Sequence, residues 1–147
     1  MTEKKSSITF EDIMRRIEQR QYAPVYILMG DESYYIDQIA DAIANSVLKP
    51  EEQDFNQTIL FGADVTAAQV VDIAKGYPMM SSHRVVIVKE AQNVKSLDAL
   101  EKYLVNPMST TILVWCHKNG LIDKRKKVVA KAESVGIVFE SKKKRDY

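Results

Sequence analysis

Cysteine, histidine, glycine and proline are all scarce in this chain: one, two, five and four residues in 147. A single cysteine excludes a disulfide framework and a thiolate metal cage. That residue, Cys116, lies inside an apolar run. The histidines, His83 and His117, have no cluster of Cys or carboxylates at metal-ligand spacing, so no metal site is expected. No apolar run approaches the ~20 residues of a membrane span. The start, Met1-Thr2-Glu3-Lys4-Lys5, is polar and has no hydrophobic signal region behind it. These absences lead to the expectation of a soluble cytoplasmic protein with no membrane partner. Charge imbalance is missing too: 21 basic residues stand against 20 acidic ones, a net charge of +1. There is thus no overall electrostatic argument for nucleic acid. Neither a G-x-S-x-G elbow nor a G-x-G-x-x-G turn occurs. No catalytic residue and no cofactor is expected.

What is present is the composition of a globular domain, 46% hydrophobic and 28% charged. Length allows one ordinary domain. Thr9 is expected to cap a helix running to about Gln21, with Asp12 completing a capping pattern. Val25 to Met29 reads as a strand closed by Gly30, followed by a helix from about Tyr34 to Leu48. Pro50 to Gln53 reads as a connection. Phe55 to Phe61 reads as a less buried strand near the sheet edge. Asp64 or Thr66 caps a helix through Ala74. Arg84-Val85-Val86-Ile87-Val88-Lys89 reads as a strand buried on both faces. Ser96 to Tyr103 is a short helix and Thr110 to Cys116 a fourth strand. Asp123 caps a helix from Lys124 to Ser134, and Ile137 to Phe139 is a fifth strand. Strands alternating with helices predict an α/β fold: a five-stranded, mostly parallel sheet with helices on both faces. Residues 1–8 are expected to form a disordered tail and 9–141 the domain. The charged stretch 142–147 is expected to mark a truncation point before further C-terminal domains.

The stretch around which the chain is organised is Lys75 to Lys89. Gly76 ends the preceding helix and Pro78 prevents its continuation. Met79 and Met80 then follow in a loop. Two readings stay open: the pair tucks back under the sheet, or it is an apolar plug presented to another protein. Gly30-Asp31-Glu32-Ser33 has the strand–turn–helix setting of a phosphate loop. It lacks the lysine and second glycine of G-x-x-x-x-G-K-[ST], and Asp31 and Glu32 would repel a phosphate. It reads as a helix cap, where the helix dipole favours acids. The basic run Lys124-Arg125-Lys126-Lys127 could touch a phosphate backbone or be a solvated face.

The chain resembles the N-terminal domain of the delta subunit of bacterial DNA polymerase III, a clamp-loader component. The residues that carry the resemblance are Val25 to Tyr34, Phe55-Asn56 and Tyr77 to Val86. The last of these fits a P-[LFM]-[LFM]-x-x-x-R-hydrophobic pattern. The resemblance implies an AAA+ or P-loop-like fold without a working Walker motif. It implies a non-catalytic domain that binds the ring-shaped sliding clamp (the beta subunit) and helps open it. It also implies assembly with the gamma/tau and delta prime subunits and with DNA. On this chain the clamp-binding residues would be Tyr77, Pro78, Met79 and Met80. The DNA-contacting candidates are Lys124, Arg125, Lys126 and Lys127. Some family members carry Leu-Phe where this chain has Met-Met. The competing readings are a degenerate P-loop nucleotide-binding enzyme domain and a DNA-binding module using the basic run.

Overall fold

The computed structural model describes residues 8–123 and 126–143. The tail expectations for residues 1–7 and 144–147 lie outside the described residues. Ile8 already packs against the core, one residue earlier than the expected domain start.

Five strands form one sheet in the order β2-β3-β4-β1-β5. They are β1 (Val25–Gly30), β2 (Gln57–Phe61), β3 (Arg84–Lys89), β4 (Thr111–Lys118) and β5 (Ile137–Ser141). Each neighbouring pair is parallel. The three interior strands are continuous apolar runs because both of their faces are covered. β2, at an edge, keeps Ile59 and Phe61 exposed.

On one face lie α1 (Phe10–Glu18) and α2 (Ser33–Ser46). Ile13, Ile17, Ile36, Ile39 and Ile43 meet the sheet residues Tyr26, Leu28, Val85, Ile87, Val114 and Cys116 there. The other face carries α4 (Ala67–Ala74), α5 (Asp98–Tyr103) and α6 (Lys127–Val135). Their residues Val70, Ala74, Leu100 and Val129 pack on Ile27, Val86, Val88, Leu113 and Trp115. Neighbouring strand residues fall into opposite clusters because successive side chains alternate across a sheet.

Local chemistry sets the element ends. The Thr9 hydroxyl accepts from the Asp12 N–H at 3.1 Å, and the Asp12 carboxylate returns to the Thr9 N–H at 3.5 Å. The α1 helix then stops at Glu18, short of the expected Gln21. Thr66, not Asp64, caps α4, again reciprocally, with Gln69. The helix α5 begins at Asp98 rather than Ser96.

Two expectations are corrected. Pro50 to Gln53 is no mere connection but the start of a further helix, α3 (Pro50–Asn56), which also absorbs the first two residues expected in β2. Proline at its first position, acids in its first turn and the Glu52 carboxylate accepting from the Lys49 N–H at 2.9 Å all favour it. The cap of α6 also moves. Lys126 occupies the N-cap, while the Asp123 carbonyl accepts the Lys126 N–H at 2.9 Å in the turn before it.

Candidate docking site

In a parallel sheet every loop that enters a strand lies at one edge, and every loop that leaves a strand lies at the other. The loop 75–83 enters β3, so it sits at the N-terminal edge. The turn 31–32 leaves β1, and Lys126 and Lys127 open α6, the helix that follows β4, so both sit at the C-terminal edge. The two expected contact regions are therefore not brought together.

The loop is built from its ends inward. The Thr111 hydroxyl, fully buried, donates to the Ala74 carbonyl at 2.6 Å and pins the last turn of α4 to the start of β4. Gly76 leaves room for the Arg84 guanidinium, whose Nη1 would stand 3.0 Å from a Cβ at that position. Arg84 in turn donates to the Tyr77 carbonyl at 3.4 Å. Next, Asn56, at the end of α3 and only 2% exposed, grips Met79. Its Oδ1 accepts the Met79 N–H at 2.6 Å, and its Nδ2 donates to the Met79 carbonyl at 2.8 Å. Nδ2 also donates to the Glu52 carbonyl at 3.0 Å, so both amide hydrogens are used. Beyond Met80, the Ser81 side chain lies near the Glu52 carboxylate. That carboxylate is held below the usual range chiefly by the Lys49 N–H, against an opposing effect of burial that is larger than the further lowering from Ser81.

These bonds fix the backbone, and the apolar side chains are left outside. Met80 is 99% exposed, Tyr77 76% and Met79 57%; Pro78 is half-buried. The reading in which the methionines tuck under the sheet is therefore corrected. The other described methionines behave differently: Met29 is fully buried, and Met14 and Met108 pack against the core. Met80 also has φ +54°, the left-handed region. A non-glycine residue there costs of order 1–2 kcal/mol. The surroundings impose that conformation, and it turns the side chain outward at the tip of the loop.

A family model described as DNA polymerase III, delta subunit, matches residues 26–142. The chain belongs to that family. It is 27% identical over 141 residues to the DNA polymerase III subunit delta of Bacillus subtilis (strain 168), covering 89% of this chain and 41% of that protein. A solved structure of the Bacillus subtilis DNA clamp loader delta protein superposes with a TM-score of 0.79 at 25% identity, over 90% of this chain and 42% of that one. A DNA polymerase III, gamma subunit-related protein from Thermotoga maritima shares the fold at a TM-score of 0.57 and 16% identity, over 92% of this chain and 46% of that one. The delta-family chain thus has an AAA+-like α/β fold, and it spans about two fifths of the length of these delta relatives.

At the C-terminal edge of this delta-family chain, the turn after β1 is unlike a phosphate cradle. Gly30 has φ +131°, and a Cβ there would stand 2.2 Å from the Ser141 carbonyl oxygen, so the glycine serves close strand packing. Glu32 occupies the N-cap of α2, but its side chain makes no capping bond, and no acid lies in the first turn. The expected side-chain cap is therefore corrected to an acidic pair ahead of the helix. Nearby, Lys118 at the end of β4 pairs with Asp37 at 2.8 Å and Glu90 at 3.7 Å. A cavity of about 460 Å³ lies beyond β2, lined in part by Asp64, Thr66, Gln69 and Lys95, but Thr66 and Gln69 are committed to capping α4. Among the described residues no cluster of three His, Cys, Asp or Glu could hold a metal. No described helix is long and apolar enough to cross a membrane.

Of the basic run, Lys124 and Arg125 lie outside the described residues. Lys126 and Lys127 are exposed at the start of α6. Reading the sequence residue by residue located Tyr77 to Met80 but missed Glu52, Asn56, Ser81 and Arg84 as their support. Asn56 figured only inside the expected strand Phe55 to Phe61 and beside Phe55 in the resemblance. Its bond to Met79 spans 23 positions, and no local pattern encodes that.

Proposed function

We propose that this chain is the clamp-contacting domain of a clamp-loader delta subunit. In this reading Met79 and Met80 form an apolar plug that enters a hydrophobic pocket of the sliding clamp and helps open the ring, while Tyr77 and Pro78 shape the approach. The other loader subunits (gamma/tau and delta prime) complete the assembly, which acts on DNA in the cytoplasm without chemistry at this domain. The observation that carries the reading is the full exposure of Met80 on a loop whose backbone is held by the buried Asn56. Burying two methionine side chains supplies ~3–6 kcal/mol before the costs of association. That suits a contact which must be made and released. Met is unbranched and polarizable and fits irregular pockets, at a cost in rotamer entropy.

The test is calorimetric titration of the sliding clamp with the full-length subunit, wild type beside Met79→Ala/Met80→Ala. The double variant is expected to bind at least ~2 kcal/mol more weakly with an unchanged melting temperature. Unchanged binding would overturn the reading. The exposed Lys126 and Lys127 favour a subsidiary DNA contact in the assembled loader. Replacing both by Gln is expected to lower the salt dependence of DNA affinity of the assembly.

A further inference from the structure

We infer that Asn56 is the positioning residue of the docking loop: its side-chain amide, bonded to both backbone groups of Met79, holds the arch on which Met80 is presented. This rests on the docking role proposed above. Three observations carry it.

The first is chemical. Asn56 offers one acceptor and two donors in a plane and uses all three, so it pairs with Met79 as a neighbouring strand would. Asp lacks the donors, and an apolar residue of the same size lacks both functions. With Asn56 only 2% exposed, water does not replace the lost partner without a rearrangement.

The second is the placement. α3 runs directly into β2, whose first residue, Gln57, is in register with Val85 of β3. Asn56 is therefore fixed by the sheet, at the edge where the loop 75–83 enters β3.

The third is that the tip is bracketed. Asn56 holds Met79 on one side of Met80 by two bonds, and on the other side Ser81 lies near Glu52, one helical turn earlier in the same helix. Both flanks of the tip thus lie against α3. A Met at positive φ has no local reason to stay there, so the bracketing supplies it. Loosening the arch lowers the fraction of molecules in the binding-competent form, and the apparent dissociation constant rises by the same factor.

The experiment compares four forms of the full-length subunit: wild type, Asn56→Ala, Met79→Ala/Met80→Ala, and the triple variant. Clamp-binding kinetics are measured on all four, and amide hydrogen exchange on the free proteins. Asn56→Ala is expected to weaken clamp binding at least tenfold, mainly through slower association. It is expected to speed exchange at residues 79–81 while β3 stays protected. In the Met79→Ala/Met80→Ala background it is expected to cost nothing further. Asn56→Asp keeps the size and the acceptor but loses the donors, and serves if the alanine variant does not fold; it is expected to lose binding in the same direction.

Unchanged binding by both Asn56 variants, with loss in Met79→Ala/Met80→Ala, overturns the positioning role and leaves the docking reading intact. An equal loss from Asn56→Ala in both backgrounds also overturns it, because the effect then comes from general damage to the fold. Unchanged binding by Met79→Ala/Met80→Ala instead overturns the docking reading and, with it, a docking role for Asn56.

Discussion

The two edges of the sheet use the same few kinds of residue to opposite ends. At the C-terminal edge, where open α/β sheets usually bind ligands, charged groups face one another: Lys118 pairs with Asp37 and Glu90, and the turn after β1 carries Asp31 and Glu32. At the N-terminal edge the polar groups point inward, onto the loop backbone, and the apolar side chains point out. The polar atoms of Asn56 and Arg84 serve there as scaffold and the methionines as surface. A site for a small anion needs free donors and room. A site for another protein needs a rigid backbone and desolvatable side chains. The turn after β1, with its two acids, fails the first requirement, and the N-terminal edge meets the second.

The comparison is broken most severely at Gly30. Gly30→Ala would set a Cβ against the Ser141 backbone at a positive φ. Strain and overpacking together are expected to cost about 3 kcal/mol, read as a large fall in melting temperature. A shift of a degree or two would show that β1 and β5 yield easily.

A sharper comparison comes from Met80→Gly. Removing the side chain also relieves the left-handed strain, so the free protein is expected to be unchanged or stabilised by up to ~1 kcal/mol, while clamp binding weakens. Stability and docking would then move in opposite directions at one residue. A destabilised Met80→Gly protein would mean that the side chain packs against its own fold.

The smallest effect is in acid. The Glu52 carboxylate is held below its ordinary range, by the Lys49 N–H first and by Ser81 after it. A depressed folded value means that its contribution is complete above the unfolded value and is lost as pH falls through the folded one. Loop dynamics, followed by the Met80 methyl resonance, are expected to stay constant from neutral pH down to the ordinary carboxylate range and to change only below it. A change near pH 7 would contradict the assignment.

Much of the fold was legible because burial leaves a pattern. The run Val85-Val86-Ile87-Val88 reads as a strand covered on both faces, and β3 spans Arg84–Lys89 as expected. Gly76 and Pro78 marked the loop. The seven residues of α3 were not legible as a helix. They are too short to show a periodic face, and Phe55 is exposed, so no apolar stripe announces them. The alternation running back from Phe61 through Ile59 also suggested a longer strand. The exposure of the methionines could not be read at all, since a loop sequence does not say which way its side chains turn. That depends on the Asn56 amide, which the fold brings from another element.

The most direct measurement uses full-length subunit labelled at its methionine methyl groups and titrated with the sliding clamp. The resonances of Met79 and Met80 are expected to shift on binding, while that of Met29, fully buried in the core, stays in place. A complex that forms while Met79 and Met80 keep their free-state resonances would contradict the docking role of this loop.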